Sequence, residues 1–340
     1  MSNKRVLVTG GTGFVGAYLL RYLLQAGYAV RATKRATSPM DLVADIQDQL
    51  EWVEGDVLDP TFVEEAMQDM QQVYHSAAMI SFDPKQVARM MKVNVEGTAN
   101  VVNAALYEGV EKLVHVSSIA ALGRKEFQPH IDESIQWENS KENSNYAISK
   151  FRAECEVWRA REEGLAMAII NPSTIIGAGY WKEGSCRIVK EAANGLRYYP
   201  TGSTGFVDVR DVARAAIALM ESSIEGERYI VNGDNRSYKN FFSTLTKELG
   251  NTPPQRAAPT WLMGTLSRLD WLRSKLTNST PLLTREILNN VQSTYYYNNE
   301  KIIADLQFEF TPLDSCLRET AKVYQESQGK QASYGVLELV

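Results

Sequence analysis

Apolar residues along this chain fall into two periods. Val6, Leu7 and Val8 are consecutive aliphatic positions with no polar alternation, the pattern of a strand buried on both faces of a parallel sheet. Residues 14–25 then carry apolar positions at helical spacing. Further strands are expected at 28–33, 50–54, 73–76, 113–117 and 166–171, with helices over about 60–69, 84–108 and 145–163 between them. Repeated alternation of strand and helix predicts an α/β fold with a doubly wound parallel sheet of Rossmann type. Beyond Pro172 the pattern loosens into a stretch rich in glycine and aromatic residues. Residues 207–221 and 228–231 then predict a return to the main sheet. From about 233 onward helices dominate, broken at Pro253, Pro254 and Pro281. No internal repeat or low-complexity segment interrupts this order.

The junction between the first strand and the first helix carries chemistry. Gly10, Gly13 and Gly16 fall between them in the run Gly10, Thr12, Gly13, Phe14, Val15, Gly16. Glycines there permit a tight turn and let the backbone approach a pyrophosphate at the helix N-terminus, which makes strand, glycine turn and helix a dinucleotide fingerprint. The spacing is Gly-x-x-Gly-x-x-Gly. The expected division is a dinucleotide-binding domain over 1–178, with 207–232 returning to it, and a smaller, mostly helical substrate domain over 179–206 and 233–340.

Composition narrows the partners. The chain has 340 residues with 44% hydrophobic content, enough for one large core or two coupled ones. A net charge of −5 argues against nucleic acid as a partner. No apolar span long enough for a membrane and no signal peptide is present, since the first residues already read as a core strand, so a cytoplasmic protein is expected. Cys155, Cys186 and Cys316 are isolated, and His75, His115 and His130 lie apart from them. Neither disulfide nor metal is expected.

Tyr146 and Lys150, 28 and 32 residues after Ser118, are spaced Tyr-x-x-x-Lys on an expected helix, where they are neighbours on one face. A positive ammonium beside a phenol favours the phenolate and should lower its pKa from about 10. Tyr146 is then suited to exchange a proton with a substrate oxygen. Ser118, at the end of a buried strand, would donate a hydrogen bond to that oxygen. Ser117 is its neighbour, read as satisfying backbone groups.

Seven motifs occur in a characteristic order: 9–16 (TGGTGFVG), 55–57 (GDV), 75–78 (HSAA), 94–98 (NVEGT), 116–118 (VSS), 146–150 (YAISK) and 208–212 (DVRDV). Together they resemble the extended short-chain dehydrogenase/reductases, over about residues 4–232. The resemblance implies a Rossmann fold, a nicotinamide cofactor at the carboxyl ends of the strands, and Ser118, Tyr146 and Lys150 as the catalytic group, with Lys150 also on the nicotinamide ribose. It places Asp56 on the adenine amino group, Val57 against the ring, small residues Ala77 and Ala78 where the cofactor passes, and a cofactor contact at Pro172. Asn94 reads either as a site organiser or as a buried asparagine joining two loops.

Cofactor choice rests on residues 31–35. An NAD site places an acidic residue about 20 positions after the glycine loop, and residues 1–40 contain none. Instead the run Val30 to Arg35 resembles NADP-dependent dihydroflavonol and cinnamoyl-CoA reductases, whose last arginine contacts the 2′-phosphate. Arg35 is thereby the expected ligand, assisted by Lys34 or Arg31, and NADP the expected cofactor with NAD the alternative. Thr174 stands where sugar-nucleotide epimerases carry an asparagine that contacts the diphosphate, which weakens that reading. Tyr180, Trp181, Tyr198, Tyr199 and Phe206 offer aromatic surface for a flat or apolar substrate, or core packing.

The expectation is an NADP(H)-dependent reductase or dehydrogenase of the dihydroflavonol-reductase-like branch, acting on a small carbonyl or alcohol. A second reading is a nucleotide-sugar epimerase or dehydratase with retained NAD. A third, from another class, is a non-catalytic NADP-sensing regulator, against which the intact Ser118, Tyr146 and Lys150 count. A homodimer is expected through the helices at 84–108 and 145–163, with Val101, Val102, Val157 and Trp158 as its apolar surface.

Overall fold

A computed structural model describes residues 4–123, 128–140, 143–259, 288 and 291–340. Its centre is a seven-stranded, all-parallel sheet. In chain order the strands are β1 (Arg5–Thr9), β2 (Ala29–Lys34), β3 (Glu51–Glu54), β4 (Gln72–His75) and β5 (Lys112–Val116). After the short β6 (His130–Ile131) comes β7 (Met167–Pro172). The last strand of the sheet, β11 (Glu227–Val231), follows β8 (Thr174–Ile176), β9 (Tyr198–Tyr199) and β10 (Ser203–Asp208). The spatial order is β3, β2, β1, β4, β5, β7, β11, so the direction of winding reverses between β1 and β4. Ligands of open α/β sheets bind outside the strand ends at that point.

The unbroken aliphatic run of β1 serves two cores. Val6 and Val8 face one layer, with α1 (Phe14–Gln25) and α7 (Val209–Glu221), while Leu7 faces the other, with α2 (Pro60–Met67), α4 (Gly97–Tyr107) and α5 (Asn145–Glu162). Both faces of the sheet are covered, which is why its strands show no polar alternation.

Three expectations need correction. The helix expected over 84–108 is a 3-10 turn at Pro84–Gln86, then α3 (Val87–Met91), a π-helical turn at Lys92–Glu96, and α4. Asn94 lies in the π turn, where its side chain leaves the helix for neighbouring segments and Thr98 Oγ1 donates to its carbonyl at 2.6 Å. Of the segments expected to rejoin the main sheet, only β11 does so. β10 instead forms a separate three-stranded sheet with β8 and with β12 (Asp234–Ser237), and α7 is the helix that covers the main sheet. Val101, Val102 and Val157 are fully buried between α4, α5 and the sheet, so they offer no surface to a second subunit, and Trp158 is only half-buried beside them. The outward side of these helices carries Arg159, paired with Glu156, Glu163 and Asn103.

The remainder is helical: α6 (Cys186–Ala193), α8 (Tyr238–Glu248), α9 (Glu300–Leu306) and α10 (Leu313–Gly329), with the short strands β13 (Arg256–Ala257) and β14 (Tyr296–Tyr297) pairing with β9 and β6. Pro253 and Pro254 separate α8 from β13, and Pro281 lies outside the described residues. A buried ion cluster ties α7 to α10. Asp208 caps α7 and clamps the Arg210 guanidinium, which also donates to Glu319 at 2.7 Å and to the Glu338 carbonyl at 3.0 Å. Residues 333–340 run back across α1: Gly335 N bonds Gly179 O, Leu337 N donates to the Tyr18 hydroxyl at 2.8 Å, and Val340 pairs with Tyr22.

Candidate active site

The turn expected to hold the cofactor runs from β1 to α1. Gly10 has φ of +73°, in the left-handed region, and a Cβ there would come within 2.7 Å of the Ala77 backbone at the end of β4. A Cβ at Gly16 would lie 2.1 Å from Gly10 O. The glycines therefore let two strand ends and a helix converge. α1 begins after Gly13 with no side-chain cap and no acidic residue in its first turn. Its leading N–H groups and positive dipole end fit an anion such as a dinucleotide pyrophosphate. Thr12 is buried in the turn, Phe14 and Val15 are half-buried at the helix start, and the Phe14 ring packs toward Gly177 and Gly179.

Beyond β2 the three basic residues separate. Arg31 bonds Glu51 and the carbonyls of Ala66 and Gln68, and Lys34 pairs with Glu54 at 3.2 Å. Arg35 is exposed, in a turn closed by Ser38, and its guanidinium has no partner among the described residues. Of the three, Arg35 is the one whose side chain has no partner among the described residues. Asp56 Oδ1 accepts from Leu58 N at 3.0 Å. Val57 is buried against Gly97, with its carbonyl held by Asn100. Ala77 is half-buried and Ala78 exposed after β4, while Pro172 closes β7.

The catalytic candidates meet on the other side. Ser118 caps a 3-10 turn, accepting from Ala120 N at 3.2 Å, and shares one cavity wall with Tyr146. Tyr146 stands in the first turn of α5, which Ser144 caps. Burial pushes its phenol above 10, and the neighbouring Ser118 hydroxyl opposes the rise. The expected lowering by Lys150 is not found. The Lys150 side chain is buried and its Nζ donates to Val116 O at 2.9 Å, beneath the end of β5. There burial lowers its own pKa to about 8, with Glu154 working against the fall.

Ser118 and Tyr146, but not Lys150, border a cavity of about 200 Å³. Its wall includes Phe82, Ser118, Tyr146, Thr174, Tyr238 and Tyr295, and no charged side chain lines it among the described residues. None of the five aromatic residues named from sequence is part of this wall. Trp181 packs edge-on to Tyr324, and Phe206 stacks on Phe241 in the core. Their place is taken by Tyr238 and Tyr295, far along the chain, which carried no local signal.

Behind the cavity are groups that sequence reasoning missed. Glu154 accepts from Ser117 and Asn171, so Ser117 serves a buried carboxylate and not backbone groups. Arg228, on β11, reaches Glu154 and holds the Glu133 and Ile135 carbonyls. The only hint of Glu154 was its spacing, four residues beyond Lys150. Asn94 joins one loop to a helix and not two loops: it accepts from Met79 N, donates to Met79 O, and donates to Ser149 on α5. Beside it, His75 bonds Thr9 at 2.7 Å and Thr98 at 3.0 Å, and the His115 ring lies 5.1 Å away with both nitrogens buried and unpaired among the described residues. Burial, aided by Lys150, lowers His75 to about 3 and holds His115 well below 6.5.

Among the described residues, no group of His, Cys, Asp or Glu could hold a metal, the three cysteines are free, and no helix is long and apolar enough to cross a membrane.

The family model described as the NAD dependent epimerase/dehydratase family matches residues 6–232. A protein of Synechocystis sp., provisionally named a dihydroflavonol 4-reductase, is 31% identical over 94% of this chain and 94% of its own length. Cinnamoyl-CoA reductase 1 of Petunia hybrida is 28% identical, over 96% of this chain and 93% of its own. The crystal structure of gox2253 superimposes with a TM-score of 0.80 at 30% identity, covering 95% of this chain and 98% of that one.

Proposed function

The chain belongs to the NAD dependent epimerase/dehydratase family and is an NAD(P)-dependent oxidoreductase of the extended short-chain type; from that premise we propose that it is an NADP(H)-dependent reductase of a small, uncharged carbonyl compound. The observation that carries this reading is the placement of Ser118 and Tyr146 together on the wall of a cavity that no charged side chain lines among the described residues. Among the described residues the wall offers no cation to the phosphates of a nucleoside diphosphate sugar, and the reductase names of the two relatives point the same way.

Bound NADPH would supply hydride to the carbonyl carbon. Ser118 and Tyr146 would hold the carbonyl oxygen between them, and Tyr146, kept protonated at neutral pH by burial, would donate its hydroxyl proton as charge develops there. Lys150, held beneath the end of β5, would orient the nicotinamide ribose. The N-terminus of α1 would hold the pyrophosphate and Arg35 the 2′-phosphate. In this reading Tyr238 and Tyr295 give the region after β7 a substrate-binding role, in line with a dinucleotide domain over 1–178 and 207–232 and a substrate domain over 179–206 and 233–340.

Calorimetry with both nucleotides tests the cofactor. NADPH should bind more tightly than NADH, and Arg35→Ala should remove most of that preference, about 1.5 to 3 kcal/mol or one to two decades, by weakening NADPH alone. Equal wild-type affinities, or equal losses for both nucleotides, would return the assignment to NAD. A screen of aldehydes, ketones and nucleotide sugars by NADPH absorbance tests the substrate class, and turnover confined to nucleotide sugars would reject it.

A further inference from the structure

Glu154 is buried one helical turn beyond Lys150 on α5. Its Oε1 accepts hydrogen bonds from Ser117 Oγ at 2.5 Å and Asn171 Nδ2 at 2.6 Å, and Arg228 Nη1 stands 3.6 Å from Oε2. The same Asn171 amide donates to Ser118 O at 3.0 Å, and Lys150 donates to Val116 O at 2.9 Å. One carboxylate thus joins the carboxyl ends of β5 and β7 to β11, on the strand that presents Ser118. Packing alone does not call for it, because well-packed apolar side chains of similar volume are often as stable as a buried ion pair or more so.

We propose that Glu154 is a positioning residue of the reaction: it fixes the strand ends that aim Ser118 at Tyr146 and supplies the counter-charge that keeps Lys150 an ammonium in its buried place. The inference rests on the catalytic reading of Ser118, Tyr146 and Lys150 given above. Glu154 is absent from the cavity wall, so it acts through its neighbours. The other titratable groups around the pair are His75 and His115 from β4 and β5, Arg228 from β11, and Tyr146 and Cys155 on α5 itself. Both histidines are held neutral by burial and take no proton near pH 8. Burial raises the Cys155 thiol, as it does the Tyr146 phenol.

The test reads Lys150 directly, through the Cε resonance of ¹³C-labelled lysine, identified by its loss in Lys150→Met. In the wild type this signal should titrate near pH 8. Glu154→Gln keeps the shape and removes the charge, and should lower the midpoint by about 1 pH unit, as loss of a close opposite charge does. The alkaline limb of kcat/KM for carbonyl reduction should move down with it, since Lys150 would give up its proton more easily. Glu154→Asp keeps the charge but withdraws it by one methylene, so it should move both in the same direction by less, and it decides the matter if the glutamine variant does not fold. A Lys150 midpoint unmoved in the folded variant overturns the proposal, as does a fixed alkaline limb beside a shifted midpoint. Failure of the catalytic reading looks different: Lys150→Met would turn over at the wild-type rate, while the midpoint shift on removing Glu154 would remain.

Discussion

Two buried clusters of charge, one around Arg210 and one around Lys150, are put together differently. The Arg210 guanidinium is saturated: Asp208 takes it on two sides, and Glu319 and the Glu338 carbonyl take the rest. Burial pulls its pKa down, but Asp208 and Glu319 more than offset this, so the charge is held above its usual value. Around Lys150 the account does not close. Its ammonium makes one hydrogen bond, burial lowers it to about 8, and nearby His115 and the Asn171 Oδ1 atom have buried polar atoms with no partner among the described residues. A saturated cluster has one state and rivets helices together. An under-partnered one keeps capacity for further hydrogen bonds and for protonation change, which is where catalytic groups are expected.

The comparison breaks most visibly at Tyr146. Tyr146→Phe removes only the exchangeable proton and should lower turnover by about 10² to 10⁴-fold with nucleotide affinity retained. Near-normal NADPH oxidation by this variant would reject Tyr146 as the proton donor. Lys150→Met should also lose turnover and some cofactor affinity, yet cost less stability than breaking a saturated pair, because burial already works against the ammonium. Arg210→Met should do the reverse, costing about 3 to 5 kcal/mol by leaving Asp208 charged and unpaired, while the folded fraction keeps its kcat. Denaturant midpoints beside kinetics on these two variants sharpen the contrast, and it collapses if both behave alike.

The smallest effect concerns acid. His75 and His115 are depressed below the 6.5 of the unfolded chain, so below that pH the unfolded state binds protons that the folded state refuses. Stability should therefore fall as pH drops through the window from about 6.5 toward 3, by about 1 kcal/mol for each histidine between pH 6 and pH 5. His115→Leu should flatten the slope of melting temperature against pH in that range. An unchanged slope would mean that His115 is not buried neutral.

What could be read in advance follows from the distance over which each part is encoded. The β1 run, the glycine turn and the Tyr146–Lys150 spacing are set by steric limits and helical period within a dozen residues, and the structure has the strand, the positive φ at Gly10 and the helix where expected. The substrate wall draws on Phe82, Thr174, Tyr238 and Tyr295, which meet only through the tertiary fold. Glu154 sits in a helix that also carries Glu156 and Glu162, and nothing local separates a buried carboxylate from a solvated one. Val101, Val102 and Val157 were misjudged for the same reason, since an apolar helix stripe does not say whether it faces the chain's own sheet or a partner. The homodimer therefore lacks the surface on which it was expected.

Tyr18 gives a consequence for folding order. Its hydroxyl, on the helix of the glycine turn, bridges Ala178 O and Leu337 N, and Tyr22 beside it pairs with Val340. The second contact closes a loop of 318 residues. Contacts of such sequence separation form late, after their loop-closure entropy has been met by the rest of the fold. The helix of the glycine turn keeps an open flank until residues 333–340 arrive, so completion of this βα unit waits on a segment 319 residues further along.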